Sequence, residues 1–156
     1  VTAQLQVVVH RSQGVAGAAE GGDVAVSLSV PSDLGLVGDA VELAARYCDT
    51  GVLSPRRLRF NLRTALAEVL ANAIAYGNRH DPAKLVRVEI TCGREAVRID
   101  VADDGMGFDP SDIPDPTEAA NLERETGRGL FVLRHLVDQV EFNERGNRVC
   151  LVLLAG

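Results

Sequence analysis

Three short stretches of this chain carry residues that could do chemistry. Glu68, Asn72 and Tyr76 follow one another at four-residue spacing. Asp103-Asp104-Gly105-Met106-Gly107-Phe108-Asp109-Pro110 is an acidic run punctuated by glycine. Thr126-Gly127-Arg128-Gly129 leads into the apolar run Leu130-Phe131-Val132-Leu133. Carboxylates, one amide and two glycine turns, in that order, are parts from which a nucleotide site can be built.

The elements that must hold these residues follow from periodicity. Val24, Val26, Leu28 and Val30 alternate with polar or small residues, which predicts a strand ended by Pro31. Ser32 or Asp33 can cap a helix over about 33–49, with Leu36, Val37, Ala40, Val41, Leu43, Ala44 and Tyr47 on its apolar positions. Ser54-Pro55 opens a longer helix, which runs to about Tyr76 and stops at Gly77-Asn78. Val86, Val88, Ile90 and Cys92 alternate, Gly93-Arg94-Glu95 turns the chain, and Val97, Ile99 and Val101 resume the alternation. The stretch 108–126 has no sustained period and predicts a loop. A helix over about 127–137 and strands over about 139–144 and 148–154 complete the chain. Residues 1–23, with Gly14, Gly17, Gly21 and Gly22, are expected as a flexible tail or linker, and 24–156 as one domain. The fold class is α+β: one layer of helices on one face of a mixed, mostly antiparallel sheet.

On the long helix, Leu58, Leu62, Ala65, Val69 and Ala73 form the apolar stripe. Glu68, Asn72 and Tyr76 share a face about 100° away, at the edge of the core. A solvated face would explain Glu68 alone, but Asn is a poor mid-helix residue with no local reason to be there. Asp103 continues the parity of Val97, Ile99 and Val101, so it points inward, and a carboxylate at a core edge needs a partner. An adenine amino group would serve. Gly105 and Gly107 let the backbone approach a planar ligand, although Asp-Gly is also an ordinary turn dipeptide. Glycines at a helix start expose N–H groups that favour phosphate, and Arg128 could add charge-assisted bonds. A plain cap by Thr126 would account for the same residues.

Together, Glu68-x-x-x-Asn72, Asp103-x-Gly105-x-Gly107 and Gly127-x-Gly129 resemble the N, G1 and G2 boxes of the GHKL superfamily, whose members share the Bergerat ATP-binding fold. Within it, the run Ala67 to Gly77, Gly105-Met106-Gly107-Phe108-Asp109 and Gly127 to Phe131 are most similar to the bacterial anti-sigma-factor serine kinases. The resemblance spans roughly 24–154 and implies a two-layer sandwich binding ATP and Mg²⁺. It implies that Glu68 is the catalytic base and that Asn72 offers its amide oxygen to Mg²⁺. Asp103 would read adenine, with Gly105 and Gly107 shaping that pocket. Gly127, Arg128 and Gly129 would hold phosphates, Leu130 would belong to the same cofactor-binding set, the loop 108–126 would be a lid, and Arg124 in it is a candidate for the γ-phosphate. Family members often have threonine supporting the adenine-binding Asp where this chain has Asn147, and His where it has Tyr76, whose expected role is packing. The implied function is phosphorylation of a small anti-sigma antagonist, sequestration of a sigma factor, or both. Homodimerisation is expected from the same resemblance. Alternatives are a nucleotide-dependent binding module without kinase activity, or a histidine-kinase catalytic domain. The last wants a helical hairpin with a phospho-acceptor His upstream, and His10 lies in a strand-like run.

Composition narrows the classes further. At 156 residues the chain has the size of one domain. A net charge of −6 argues against direct nucleic-acid binding. No Gly-x-x-x-x-Gly-Lys-Ser/Thr phosphate loop is present. Arg79-His80-Asp81 matches a protein-kinase catalytic loop only superficially. Cys48, Cys92 and Cys150 are widely spaced and odd in number, which fits buried small hydrophobes in a cytoplasmic protein. The longest apolar run, Val149 to Ala155, is too short to span a membrane.

Overall fold

The computed structural model of the chain describes residues 4–11, 23–106 and 125–156. Six strands form one sheet: β1 (Gln6–Arg11), β2 (Val24–Pro31), β3 (Leu85–Cys92), β4 (Ala96–Ala102), β5 (Gln139–Phe142) and β6 (Arg148–Leu154). Their order is β1-β2-β3-β4-β6-β5. Among the described residues all the pairings between neighbours are antiparallel, where a mixed, mostly antiparallel sheet was expected. Segregated helices on an antiparallel sheet give the expected α+β class.

Alternation decides which face the helices cover. Val26, Leu28 and Val30 on β2, Val86, Val88, Ile90 and Cys92 on β3, and Val97, Ile99 and Val101 on β4 are all buried. Intervening positions carry the charges of the other face, where Asp100 pairs with both Arg98 and Arg148. Strand β1 lies in the stretch expected as a tail. Val7 and Val9 alternate as a strand requires and pack at the core's edge, while Val7 and Val9 face Leu28 and Val26 in register. Residues 12–22 lie outside the described residues.

Helix α1 (Val37–Tyr47) buries Ala40, Val41, Ala44 and Ala45. Ahead of it a 3₁₀ turn, Leu34–Leu36, is capped by Asp33, whose carboxylate accepts from Gly35 N–H at 2.8 Å. Ser54 starts the next helical run, its hydroxyl accepting from Arg57 N–H at 3.3 Å. That run is not uniform. A π-helical segment, Arg57–Leu62, precedes helix α2 (Arg63–Asn72), and a second π-helical segment, Ala73–Gly77, follows it. Leu62, Leu66, Leu70 and Ile74 are the run's largest fully buried side chains, in one core cluster with the buried strand residues. Helix α3 (Glu125–Leu136) buries Leu130 and Leu133. It starts two residues ahead of the expected position.

All three cysteines are buried thiols. The Cys48 and Cys92 sulfurs share a hydrogen bond at 3.4 Å under the end of α1. That bond, with burial, pushes the Cys48 thiol up. Cys150 faces away from the helices yet is still enclosed, and burial also raises its pKa. Among the described residues no helix is long and apolar enough to cross a membrane.

Candidate functional site

Helix α2 delivers Glu68 and Asn72 to one place because four residues make just over one turn. The Asn72 amide N–H donates to Glu68 Oε1 at 3.3 Å. This contact turns the amide oxygen the other way. Against both residues lies Gly129 of α3. A Cβ on Gly129 would run into Glu68 Oε1 and stand 3.5 Å from Asn72 Nδ2. Gly129 is the fifth residue of α3, so the free N–H groups of that helix's first turn belong to residues before it. Its lack of a side chain serves close helix packing, not an open turn ahead of a helix.

The acidic loop leaves the end of β4 as its parity demands. Asp103 is half-buried and its own backbone N–H donates to the Asn147 carbonyl at 2.9 Å. Its Oδ1 accepts from Gly105 N–H at 2.8 Å. Burial pushes the Asp103 carboxyl above its ordinary value; the Gly105 N–H opposes this, Asp104 adds to it, and Lys84 opposes it. A Cβ on Gly77 would strike the Asp103 carboxylate, and one on Gly105 would strike the Gly77 carbonyl. The close approach that Gly105 permits is therefore to the chain's own backbone. Asn147 supports Asp103 through its carbonyl, while its side chain accepts from Asn143 Nδ2 at 2.8 Å.

Between the two ends lies a cavity of about 320 Å³, the lower end of the range of ligand pockets. Asn72 and Leu130 line one side and Asp103 the other, over an apolar floor that includes Val69, Val101 and Val149. Glu68 is not in its wall. Tyr76 is: it is 54% exposed and lines the cavity. Arg79 and Lys84 supply positive charge at the rim. Arg79 and His80 hold left-handed backbone, at φ 51 and 57. Two successive non-glycine residues in that region store strain, and such residues cluster at functional sites. Gly107, Arg124 and most of the loop 108–126 lie outside the described residues, as do the side chains at Gly127 and Arg128.

Two residues went unnoticed in the sequence. Gly77 had counted only as a helix stop, yet it makes room for Asp103. Asn78, also part of that stop, is fully buried. Its amide N–H donates to Ser32 Oγ at 3.0 Å and its amide oxygen accepts from Asp104 N–H at 2.8 Å. Neither partner is local, so no short-range pattern announces this residue.

An inward carboxylate at a strand end, a helix carrying Glu and Asn, and a glycine-bearing helix packed on them lie together on one face of an antiparallel sheet. The chain belongs to the histidine kinase-like ATPase domain family, whose model matches residues 30–153. It is similar to the anti-sigma F factor of Clostridium beijerinckii, 31% identical over 97 residues, which cover 60% of this chain and 67% of that protein. The anti-sigma F factor of Clostridium perfringens is 28% identical over 97 residues, 60% of this chain and 69% of its own length. The serine/threonine-protein kinase BtrW of Bordetella bronchiseptica is 26% identical over 91 residues, 57% of this chain and 64% of that one.

Proposed function

We propose that this domain binds Mg-ATP and transfers the γ-phosphoryl group to a serine of a small anti-sigma antagonist protein. The observation that carries the reading is a cavity lined by Asn72 on one side and Asp103 on the other, with Glu68 and Gly129 packed together against Asn72 just outside its wall. Asp103 accepts from the adenine amino group. Glu68 accepts the proton of the attacking serine hydroxyl, a role suited to a carboxylate beside the phosphate end of the site.

Asn72 fits a hard cation. Its NH₂ is engaged by Glu68, so its oxygen is the atom available to the cavity. Mg²⁺ is commonly held by one or two protein oxygens together with substrate phosphates. In this reading the ion arrives with the nucleotide, held by the Asn72 oxygen and the phosphates. Such an ion would neutralise charge on the phosphates. The names of the relatives support an anti-sigma setting with a sigma factor as a partner, and the antagonist is what the resemblance of the three motifs implies. BtrW's name supports the kinase reading.

The test is incubation with γ-labelled ATP, Mg²⁺ and candidate antagonist proteins. The expected product is an acid-stable phosphoserine. Glu68→Gln should keep nucleotide binding and lose transfer by roughly 10²–10⁴-fold, the usual weight of a general base. Nucleotide binding without transfer in the parent protein would instead indicate a regulatory binding module. An acid-labile product would indicate histidine-kinase chemistry.

A further inference from the structure

We infer that Asn78 is the positioning residue for the Asp103 carboxylate, holding it in register for the adenine amino group. This rests on the reading of Asp103 given above and goes beyond it, by naming the side chain that sets adenine specificity from outside the pocket.

The direction of the Asp103 side chain depends on its φ and ψ, and each is held by one peptide plane. The plane before Asp103 is fixed by its N–H donating to the Asn147 carbonyl. The plane after it is fixed by Asp104 N–H donating to Asn78 Oδ1 at 2.8 Å. Of these two anchors, only the second is a side chain.

The amide of Asn78 has one permitted orientation. Ser32 Oγ donates its proton to the Lys84 carbonyl at 2.6 Å. It can then only accept from Asn78, which sets the Asn78 NH₂ toward Ser32 at 3.0 Å and Oδ1 toward Asp104. The position therefore needs a donor on one side and an acceptor on the other, with no net charge, at 0% exposure. Asparagine meets all three conditions; aspartate offers no donor to Ser32. Further bonds stiffen the loop beyond: the Asp104 carboxylate accepts from Leu85 N–H at 3.2 Å and Arg87 Nη1 at 3.0 Å. None of those fixes the 103–104 peptide.

The experiment compares the affinity of ADP with that of IDP, which replaces the adenine amino group by a carbonyl oxygen. The parent protein should prefer ADP by at least roughly a hundredfold, because a carboxylate facing an oxygen is left unpaired. Asn78→Ala should lower that ratio at least about tenfold, as the 103–104 peptide is released. Ser32→Ala is the control. It also leaves a buried polar group unpaired and lowers the melting temperature, but Asp104 N–H can only donate and so still selects Asn78 Oδ1, and the ratio should stay within about threefold of the parent. Should Asn78→Ala not fold, judged by circular dichroism, Asn78→Ser is measured in its place, since its shorter side chain does not span both partners. An Asn78 variant that keeps the parent's ADP-to-IDP ratio while its melting temperature falls would overturn the inference and leave Asn78 a purely structural residue. A parent protein that binds ADP and IDP equally would sink the reading of Asp103 itself, a separate and visible failure.

Discussion

Asp103→Asn separates what the carboxylate does for a ligand from what it does to the fold. In the structure Gly105 N–H donates to Asp103 Oδ1 at 2.8 Å. A substituted amide keeps its oxygen on that donor and must turn its NH₂ toward the cavity. There it meets the adenine amino group, donor against donor. The lost hydrogen bond is one to a charged acceptor, worth about 1.5–3 kcal/mol. That corresponds to a Kd for ADP weaker by roughly 10–150-fold. The effect on stability has the opposite sign. Burial holds the Asp103 carboxyl above its ordinary value. A carboxyl that binds its proton more tightly when folded opposes folding once ionised. Its contribution is full below the unfolded-state pKa of about 4 and is lost as pH rises through the higher folded-state value. The amide does not titrate, so the variant should melt above the parent near neutral pH. The difference should vanish as pH falls below about 4, where the parent carboxyl is protonated as well. Isothermal titration with ADP and melting curves across that pH range give both readings. Parent-like ADP affinity in the variant would refute the assignment of Asp103. A variant that melts below the parent near neutral pH would refute the argument from burial.

Other expectations follow from the same contacts. Gly129→Ala places its methyl against Glu68 Oε1, the free end of a flexible side chain. The helix gains about 1 kcal/mol of propensity, so melting should hold or rise while phosphoryl transfer falls by about 10²-fold as the base is displaced. Gly105→Ala meets the Gly77 backbone, which cannot swing aside. It should cost about 1–3 kcal/mol, visible as a lower melting temperature in calorimetry; equal stability for the two glycine variants would contradict both assignments. Because Cys48, Cys92 and Cys150 are buried, an aromatic disulfide reagent should react with none in the native protein and with all three in urea; rapid native reaction at any of them would show that it is open to solvent.

The fold was legible in the sequence wherever one face of an element is buried. β3 alternates between exposed and buried along its whole length, and β4 does the same from its interior outward, so parity alone sends Asp103 inward. Ser54 and Asp33 announced their helices through ordinary capping chemistry. What stayed hidden depends on distant partners. Asn78 answers to Ser32, forty-six positions before it, and to Asp104, twenty-six after it. Beside a glycine at a helix end it looks like a stop signal and nothing more. The run around His10 reads as strand-like yet falls in the expected tail, because its short alternation is followed by a glycine-rich stretch and its partner, β2, lies beyond that stretch. The π-helical segments on either side of α2 have no signature in side-chain type that separates them from α-helix.

The site's glycines show how the two kinds of information join. Read locally, Gly105 and Gly129 suggest loops that approach a ligand. In three dimensions each is set against another part of the chain: Gly129 against Glu68, Gly105 against Gly77, and Gly77 in turn against Asp103. Both proposed working carboxylates thus lie where a neighbouring element presents only a hydrogen. A side chain at Gly77 or Gly129 would have to displace a carboxylate, and one at Gly105 would part the two loops that frame Asp103. The glycine spacing therefore records packing around acids as much as access to phosphate. This also explains why Asn78 is needed. A carboxylate seated against glycines has little side-chain packing to hold it, so its direction must come from the backbone, and the backbone on its far side is held by the amide of Asn78.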